Sequence, residues 1–128
     1  RWRTELGSVL WLAATNHRVG GRGPASAHQA AGIVRLGDRL GVPTVLTNMV
    51  RMARRGQAAT VDVLDAARRL VPLDVRNVDR RNAEGYLKPD EAMREAADEA
   101  ARLVGHPDGG ALLAATRGLA ERCMLDPI

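Results

Sequence analysis

Two short polar stretches hold the residues of this sequence best placed to do chemistry: Thr15-Asn16-His17 and Thr47-Asn48-Met49-Val50-Arg51. Each follows an apolar run that reads as a buried strand. In parallel βα folds, ligands are met just beyond the carboxyl ends of strands. His17 reads either as a base or ligand or as a loop histidine hydrogen-bonded to backbone. His28, early on a helix, and His106, in a turn, have no second His or Cys at ligand spacing. Cys123, the one cysteine, falls on an apolar helical face and reads as a buried structural thiol. There is no Gly-x-Ser-x-Gly elbow, and the glycine-rich loop 16–24 lacks the Gly-Lys-Ser/Thr ending of a phosphate loop. Asp62 and Asp65 lie on a short helix, where the helix dipole or ion pairing accounts for them. Arg51, Arg54, Arg55, Arg76, Arg80 and Arg81 are candidates for contacting phosphate, with a solvated surface as the other reading.

The elements that must position these residues follow from the pattern of apolar and punctuating residues. Ser8 to Thr15 is short and continuously apolar, as in a strand buried on both faces. Ala25 to Leu40 has helical spacing, with Ala30, Ile33, Leu36 or Gly37, and Leu40 on one face and Gly41 as its stop. Gly32 and Gly37 weaken a free helix, which predicts close packing of this helix on a sheet. Thr44 to Thr47 is the next strand. Strand, helix, strand at this spacing is a parallel βαβ unit, so the Asn16-His17 and Asn48-Met49 exits are expected on the same edge.

Further along, the pattern predicts a basic turn from Arg51 to Gly56 and a helix from Thr60 to Leu70. Thr60 is its expected N-cap, and Val61, Leu64 and Ala67 its inner face. Val71 to Asp74 reads as a brief strand, Arg76 to Glu84 as a polar loop and Tyr86-Leu87 as an edge pairing. Pro89 starts a helix to Val104 with the stripe Met93, Ala96, Ala97, Ala100 and Leu103. Asp108 is placed to cap a last helix, Gly110 to Met124, with Leu112, Leu113, Thr116, Leu119, Ala120 and Cys123 inward. The fold class is therefore α/β, a parallel βαβ unit in residues 1–80 followed by a helical region in residues 81–128.

With 128 residues there is room for one core. No Phe, one Tyr and two Trp leave a core of Ala, Val, Leu, Ile and Met that buries little area per side chain. Stability is thus expected to draw on contacts outside the segment, and the first residue, Arg, suggests a piece of a longer polypeptide. Residues 1–81 carry 14 basic and 6 acidic side chains, whereas residues 82–128 carry 5 and 9. A basic front and an acidic back fit a surface that lies along phosphate on one side. Eighteen of the 19 basic residues are Arg, a skew that a GC-rich genome also produces, and Lys88 is the exception. The single cysteine and the absence of a signal or membrane span lead to a cytoplasmic, soluble expectation with no membrane partner.

Four blocks carry a resemblance: Leu40 to Val50 (LGVPTVLTNMV), Val61 to Leu73 (VDVLDAARRLVPL), Arg80 to Met93 (RRNAEGYLKPDEAM) and Ala114 to Pro127 (ATRGLAERCMLDP). In order and spacing they resemble the alpha subunit of bacterial DNA polymerase III, the C-family polymerase, and more narrowly its error-prone paralogue. The resemblance implies the later part of the polymerase-and-histidinol-phosphatase (PHP) domain, a distorted βα barrel, and the helices leading toward the palm. It also implies a parent DNA-directed DNA polymerase acting on DNA and deoxynucleotides in replication or repair synthesis. That parent would use Mg2+ held by palm carboxylates outside this chain, and the palm of the same polypeptide would be a packing partner.

Active PHP domains hold metals at the carboxyl edge of the strands. They usually carry a block Thr-Asn-Asp-x-His-Tyr after the strand, whose Asp and His match Met49 and Arg51 here. A Glu four residues ahead of the loop histidine matches Ala13, while His17 is kept. A divalent ion needs several donors; a thioether is soft and weak, and a guanidinium has no lone pair and brings a positive charge. Ala13, His17, Met49 and Arg51 are therefore expected to be a degenerate metal site, with no cofactor in this segment. Arg51 is expected either to replace the cation or to pair with Asp62. The alternatives are an active metal-dependent phosphoesterase or 3'-5' exonuclease, with donors from elsewhere in the protein, and a non-enzymatic DNA-binding module.

Overall fold

The computed structural model describes residues 2–125, apart from the side chain of Arg3. Helix α1 (Trp2–Leu6) and a 3-10 turn (Gly7–Val9) lead into strand β1 (Leu12–Thr15), followed by α2 (Ala27–Leu40), β2 (Thr44–Thr47), α3 (Ala58–Arg69), α4 (Asp90–Arg102) and α5 (Gly110–Arg122). The strands pair in parallel, Leu12 beside Thr44 through Thr15 beside Thr47, as the βαβ reading expected. The fold class is α/β with a two-stranded sheet.

The first strand is shorter than the apolar run from Ser8. Gly7 has φ +53 and the 3-10 turn uses up Ser8 and Val9. Pairing begins where Leu12 N donates to Pro43 O at 2.9 Å.

Local rules fix α2 at both ends. Ser26 caps it by accepting from Gln29 N at 3.1 Å, and Gly41 ends it in the left-handed region at φ 60. The buried face is Ala30, Ala31, Val34 and Gly37, while Leu36 and Leu40 are exposed, so the face is rotated from the expected one. The smaller residues win because the backbone approaches its neighbours closely. A Cβ on Gly37 would lie 2.2 Å from Thr44 Oγ1 and 2.9 Å from Val42 O. Gly32 shows no such approach: a Cβ there meets nothing within 4 Å.

The same economy of volume shapes the helical part. α4 buries Ala96, Ala97, Ala100 and Ala101, and a Cβ on Gly109 would come 2.3 Å from Ala97 Cβ, so the start of α5 rests directly on α4. Asp98 fixes that contact by accepting from Gly109 N at 2.7 Å, and Asp108 accepts from Gly110 N at 2.7 Å. α5 then covers the open edge of β2: Thr116 Oγ1 accepts from Leu46 N at 2.9 Å and donates to Leu112 O at 2.8 Å. An edge N–H left unpaired there would cost the desolvation of a buried donor. Ala14, Ala30, Val34, Leu46, Ala96, Ala97, Ala100 and Leu112 form one core, which crosses the boundary expected at residues 80 and 81.

Other elements differ from expectation. α3 starts at Ala58, and Gln57, not Thr60, precedes it, with Gln57 Oε1 accepting from the backbone of Ala53 and Arg54. Its buried residues are Ala58, Val61 and Ala66, of which Ala58 and Val61 pack with Met52, Ala83 and Tyr86; Leu64 and Ala67 are exposed. Val71 to Asp74 forms no strand, because Asp74 instead caps a 3-10 turn (Val75–Asn77) by accepting from Arg76 N. Tyr86 does pair, in an isolated parallel bridge with Met52. Leu103, Ala120 and Cys123 are exposed, so the thiol is not the buried group expected. No helix among the described residues is long and apolar enough to cross a membrane.

Candidate functional site

The two strand exits meet on one edge, as parallel pairing requires. Thr15 Oγ1 lies 3.1 Å from Thr47 Oγ1, and the chain then turns through two buried asparagines, Asn16 and Asn48. A buried amide must satisfy its donors and its acceptor. Asn16 Nδ2 donates to Ala96 O and to Glu99 Oε2, both at 3.0 Å, and its Oδ1 accepts from Arg18 N at 2.9 Å. Arg18, at φ 55, reaches Glu95 and Glu99 at 2.9 Å each. The Glu95 hydrogen bond is the largest factor raising its pKa further. The exit of β1 is thereby tied to α4.

Asn48 does the same for β2. Its Nδ2 donates to Glu84 O and Tyr86 O, and its Oδ1 accepts from Lys88 Nζ at 2.9 Å. The Lys88 side chain is 1% exposed. Its ammonium also donates to Glu84 O, stands 3.2 Å from Glu84 Oε2 and lies 4.6 Å from the centre of the Tyr86 ring. Arg55 pairs with the other Glu84 oxygen at 2.5 Å and lies over the same ring. Such an ion cluster is tolerable inside a protein only when its groups are paired and hydrogen-bonded. The sequence reading passed over this network. Its signal was the lone lysine among eighteen arginines, four residues after Glu84.

His17 is a loop histidine bonded to backbone, the second of its two readings. Its Nε2 is 2.8 Å from Asn48 O, and because a carbonyl only accepts, Nε2 carries the hydrogen. Asn82 Nδ2 donates to His17 O, and His17 N donates to Ala25 O. Met49 has φ +41 and is 67% exposed. Arg51 N donates to Gly85 O at 2.8 Å, and its guanidinium pairs with Asp65 at 2.6 Å. The partner is thus Asp65 and not Asp62, which is held by Arg80 through two bonds of 2.7 and 2.6 Å. The Arg51 hydrogen bond holds the Asp65 carboxyl below its ordinary range, and the same contact raises Arg51. Arg80 is raised chiefly by its hydrogen bond to Asp62.

Ala13, His17, Met49 and Arg51 line one half-open cavity of about 470 Å³. Arg80 and Arg81 also line it, whereas Arg54, Arg55 and Arg76 do not. Its remaining walls are largely apolar, with Ile33, Met52 and Val61 among them. Among the described residues no three His, Cys, Asp or Glu side chains gather in a way that could hold a metal ion. The donor set at the four positions does not fit a divalent ion: one imidazole, a weak thioether, a methyl group and a guanidinium already bonded to a carboxylate. Of the six candidate phosphate-contacting arginines, Arg51, Arg55, Arg76 and Arg80 are in ion pairs. Arg54 and Arg81 have no carboxylate partner among the described residues.

No family model matches the chain. No solved structure matches it. Two curated proteins do. The chain is 31% identical over 128 residues to an error-prone DNA polymerase of Pseudomonas syringae pv. syringae, and 30% identical to one of Pseudomonas savastanoi pv. phaseolicola. Each match covers 98% of this chain and 11% of the relative. The resemblance carried by the four sequence blocks is borne out: along nearly all its length this chain is similar to a short stretch of error-prone DNA polymerases.

Proposed function

We propose that the chain is a scaffold segment of a DNA-directed DNA polymerase of the error-prone type. It represents the later part of a PHP-like barrel whose metal site has lost its ligands, with the helices that lead toward the palm. One observation carries this reading: Ala13, His17, Met49 and Arg51, drawn from the exits of two parallel strands, line a single cavity whose donors do not suit a divalent ion. The likeness to error-prone DNA polymerases over 98% of the chain supports the proposed activity of the parent.

In place of a metal, the strand exits are held by side chains. Arg51 joins the β2 exit to α3 through Asp65, Asn16 joins the β1 exit to α4, and Lys88 joins Asn48 to Glu84. Such cross-links keep a segment rigid without hydrolytic chemistry. The parent polymerase would carry out phosphoryl transfer with Mg2+ bound by carboxylates outside this chain. DNA, deoxynucleotides and the palm are its proposed partners. Arg54 and Arg81, which lack carboxylate partners among the described residues, favour a further contribution to holding the DNA backbone.

The test is primer extension by the full-length protein on a primed template, alongside degradation of the primer in the absence of deoxynucleotides. Extension without degradation is expected. Degradation that requires a divalent ion and disappears in the His17→Ala variant would establish the exonuclease alternative. DNA binding without extension would establish the binding-module alternative.

A further inference from the structure

Helix α2 turns Ala30, Ala31, Val34 and Gly37 to the core and leaves His28, Gly32, Arg35 and Arg39 exposed. Their spacing of four, three and four residues puts these last four on one helical face. Arg22 joins them from the loop between β1 and α2. Arg22, His28 and Arg35 line a hollow of about 340 Å³ over Ala31 and Leu103, and no carboxylate belongs to its lining.

These cations differ from those around the strand exits. Arg51, Arg55, Arg80 and Arg18 are each committed to a carboxylate. The side chains of Arg22, His28 and Arg39 have no hydrogen-bond or ion-pair partner among the described residues, and that of Arg35 donates only to Leu103 O at 3.3 Å. The nearby acid on the same helix, Asp38, stands 3.2 Å from His106.

Gly32 sits at the centre of this face. Glycine inside a helix is unfavourable, and nothing in the fold calls for it here, since a Cβ would meet no atom within 4 Å. What it leaves is clearance between His28 and Arg35. A glycine flanked by unpaired cations suits the close approach of an anionic backbone.

We propose that this face of α2 binds the phosphodiester backbone of duplex DNA, with Arg22, Arg35 and Arg39 on phosphates, His28 donating a further hydrogen bond, and Gly32 giving the backbone room. From His28 to Arg39 the helix rises about 16 Å. At a phosphate every 3.4 Å of axis on each strand, that span faces about five phosphates of one strand. Contacts of this kind read no bases. The choice of DNA as the nucleic acid rests on the polymerase reading; the phosphate chemistry does not.

The experiment measures fluorescence anisotropy of a labelled duplex of arbitrary sequence with the full-length protein, between about 50 and 200 mM salt. Two variants are compared with the parent: Arg35→Ala with Arg39→Ala, and Gly32→Gln. The double variant is expected to weaken binding about tenfold and to lower the slope of log K against log salt by about 2. Gly32→Gln keeps every charge and improves helix propensity, so it is expected to raise the melting temperature while weakening DNA binding severalfold. Wild-type affinity in either variant overturns the proposal. Primer extension, read separately, distinguishes the two readings. A protein that extends primers while both variants bind normally loses only this surface. A protein that extends no primer while both variants lose binding keeps the surface and loses the polymerase.

Discussion

The guanidinium of Arg51 lies 2.6 Å from the carboxylate of Asp65, joining the exit of β2, on the wall of the cavity at the strand exits, to the middle of α3. The positive charge is thus anchored to a carboxylate of its own chain. It acts as a strut between a strand exit and a helix.

That strut carries a pH dependence. Asp65 has its carboxyl pKa lowered in the folded state, chiefly by the Arg51 hydrogen bond. Its contribution is therefore complete above the ordinary carboxylate pKa of about 3.9 and is lost as the pH falls below it toward the lowered value. Chemical denaturation at a series of pH values should show stability falling below about pH 4. The Asp65→Asn variant should show a shallower fall, because the unfolded chain no longer takes up a proton there.

Lys88 should be intolerant of neutral replacement. Its ammonium serves Asn48 Oδ1, Glu84 O and the Glu84 carboxylate from a site closed to water. Lys88→Met removes one partner of a buried pair and should cost about 3 kcal/mol of unfolding free energy. A combined Lys88→Met, Glu84→Gln variant should recover part of that loss, measured by a double-mutant cycle.

The glycines of α2 should respond oppositely. Gly37→Ala puts a methyl group into Thr44 and the Val42 carbonyl, and should destabilise by about 1–3 kcal/mol. Gly32→Ala projects into open space and should stabilise by about 1 kcal/mol. Thermal unfolding of the two variants side by side checks the contrast.

Adding donors at three of the four positions should create a metal site in this cavity. Ala13→Glu, Met49→Asp and Arg51→His together place two carboxylates and a second imidazole on the wall that already holds His17. Calorimetric titration with Zn2+ or Mn2+ should show saturable binding in the triple variant, with circular dichroism confirming that the helices persist. A triple variant that folds yet binds no more metal than the parent would mean that the four positions do not converge as described.

Much of the fold could be read from sequence where local rules act alone. Gly41 stops α2 and Thr44 to Thr47 is the second strand because each signal depends on a few neighbouring residues, while the expected pairing of Tyr86 is made with the distant Met52. Helix faces were read less well. Leu64 and Leu103 were expected inward yet are exposed, and of the pair Leu36 or Gly37 on α2 it is the glycine that is buried. This fold packs helices at alanine and glycine distances, and periodicity does not say which of two adjacent apolar residues faces the core. At the site, the convergence of His17 and Met49 followed from parallel pairing. The partner of Arg51 did not, since Asp62 and Asp65 stand one helical turn apart and only the placement of Arg80 assigns each to its arginine. Lys88 was passed over because burial of a lysine is a tertiary fact.

In the proposed reading the strand exits form a structural joint and not a metal centre. Elemental analysis of the full-length protein after gel filtration in chelator-free buffer tests it most directly, with His17→Ala as the paired sample. No stoichiometric zinc or manganese, and the same metal content in both samples, is the expected result. One or more tightly held ions per chain in the parent, lost in His17→Ala, would contradict it.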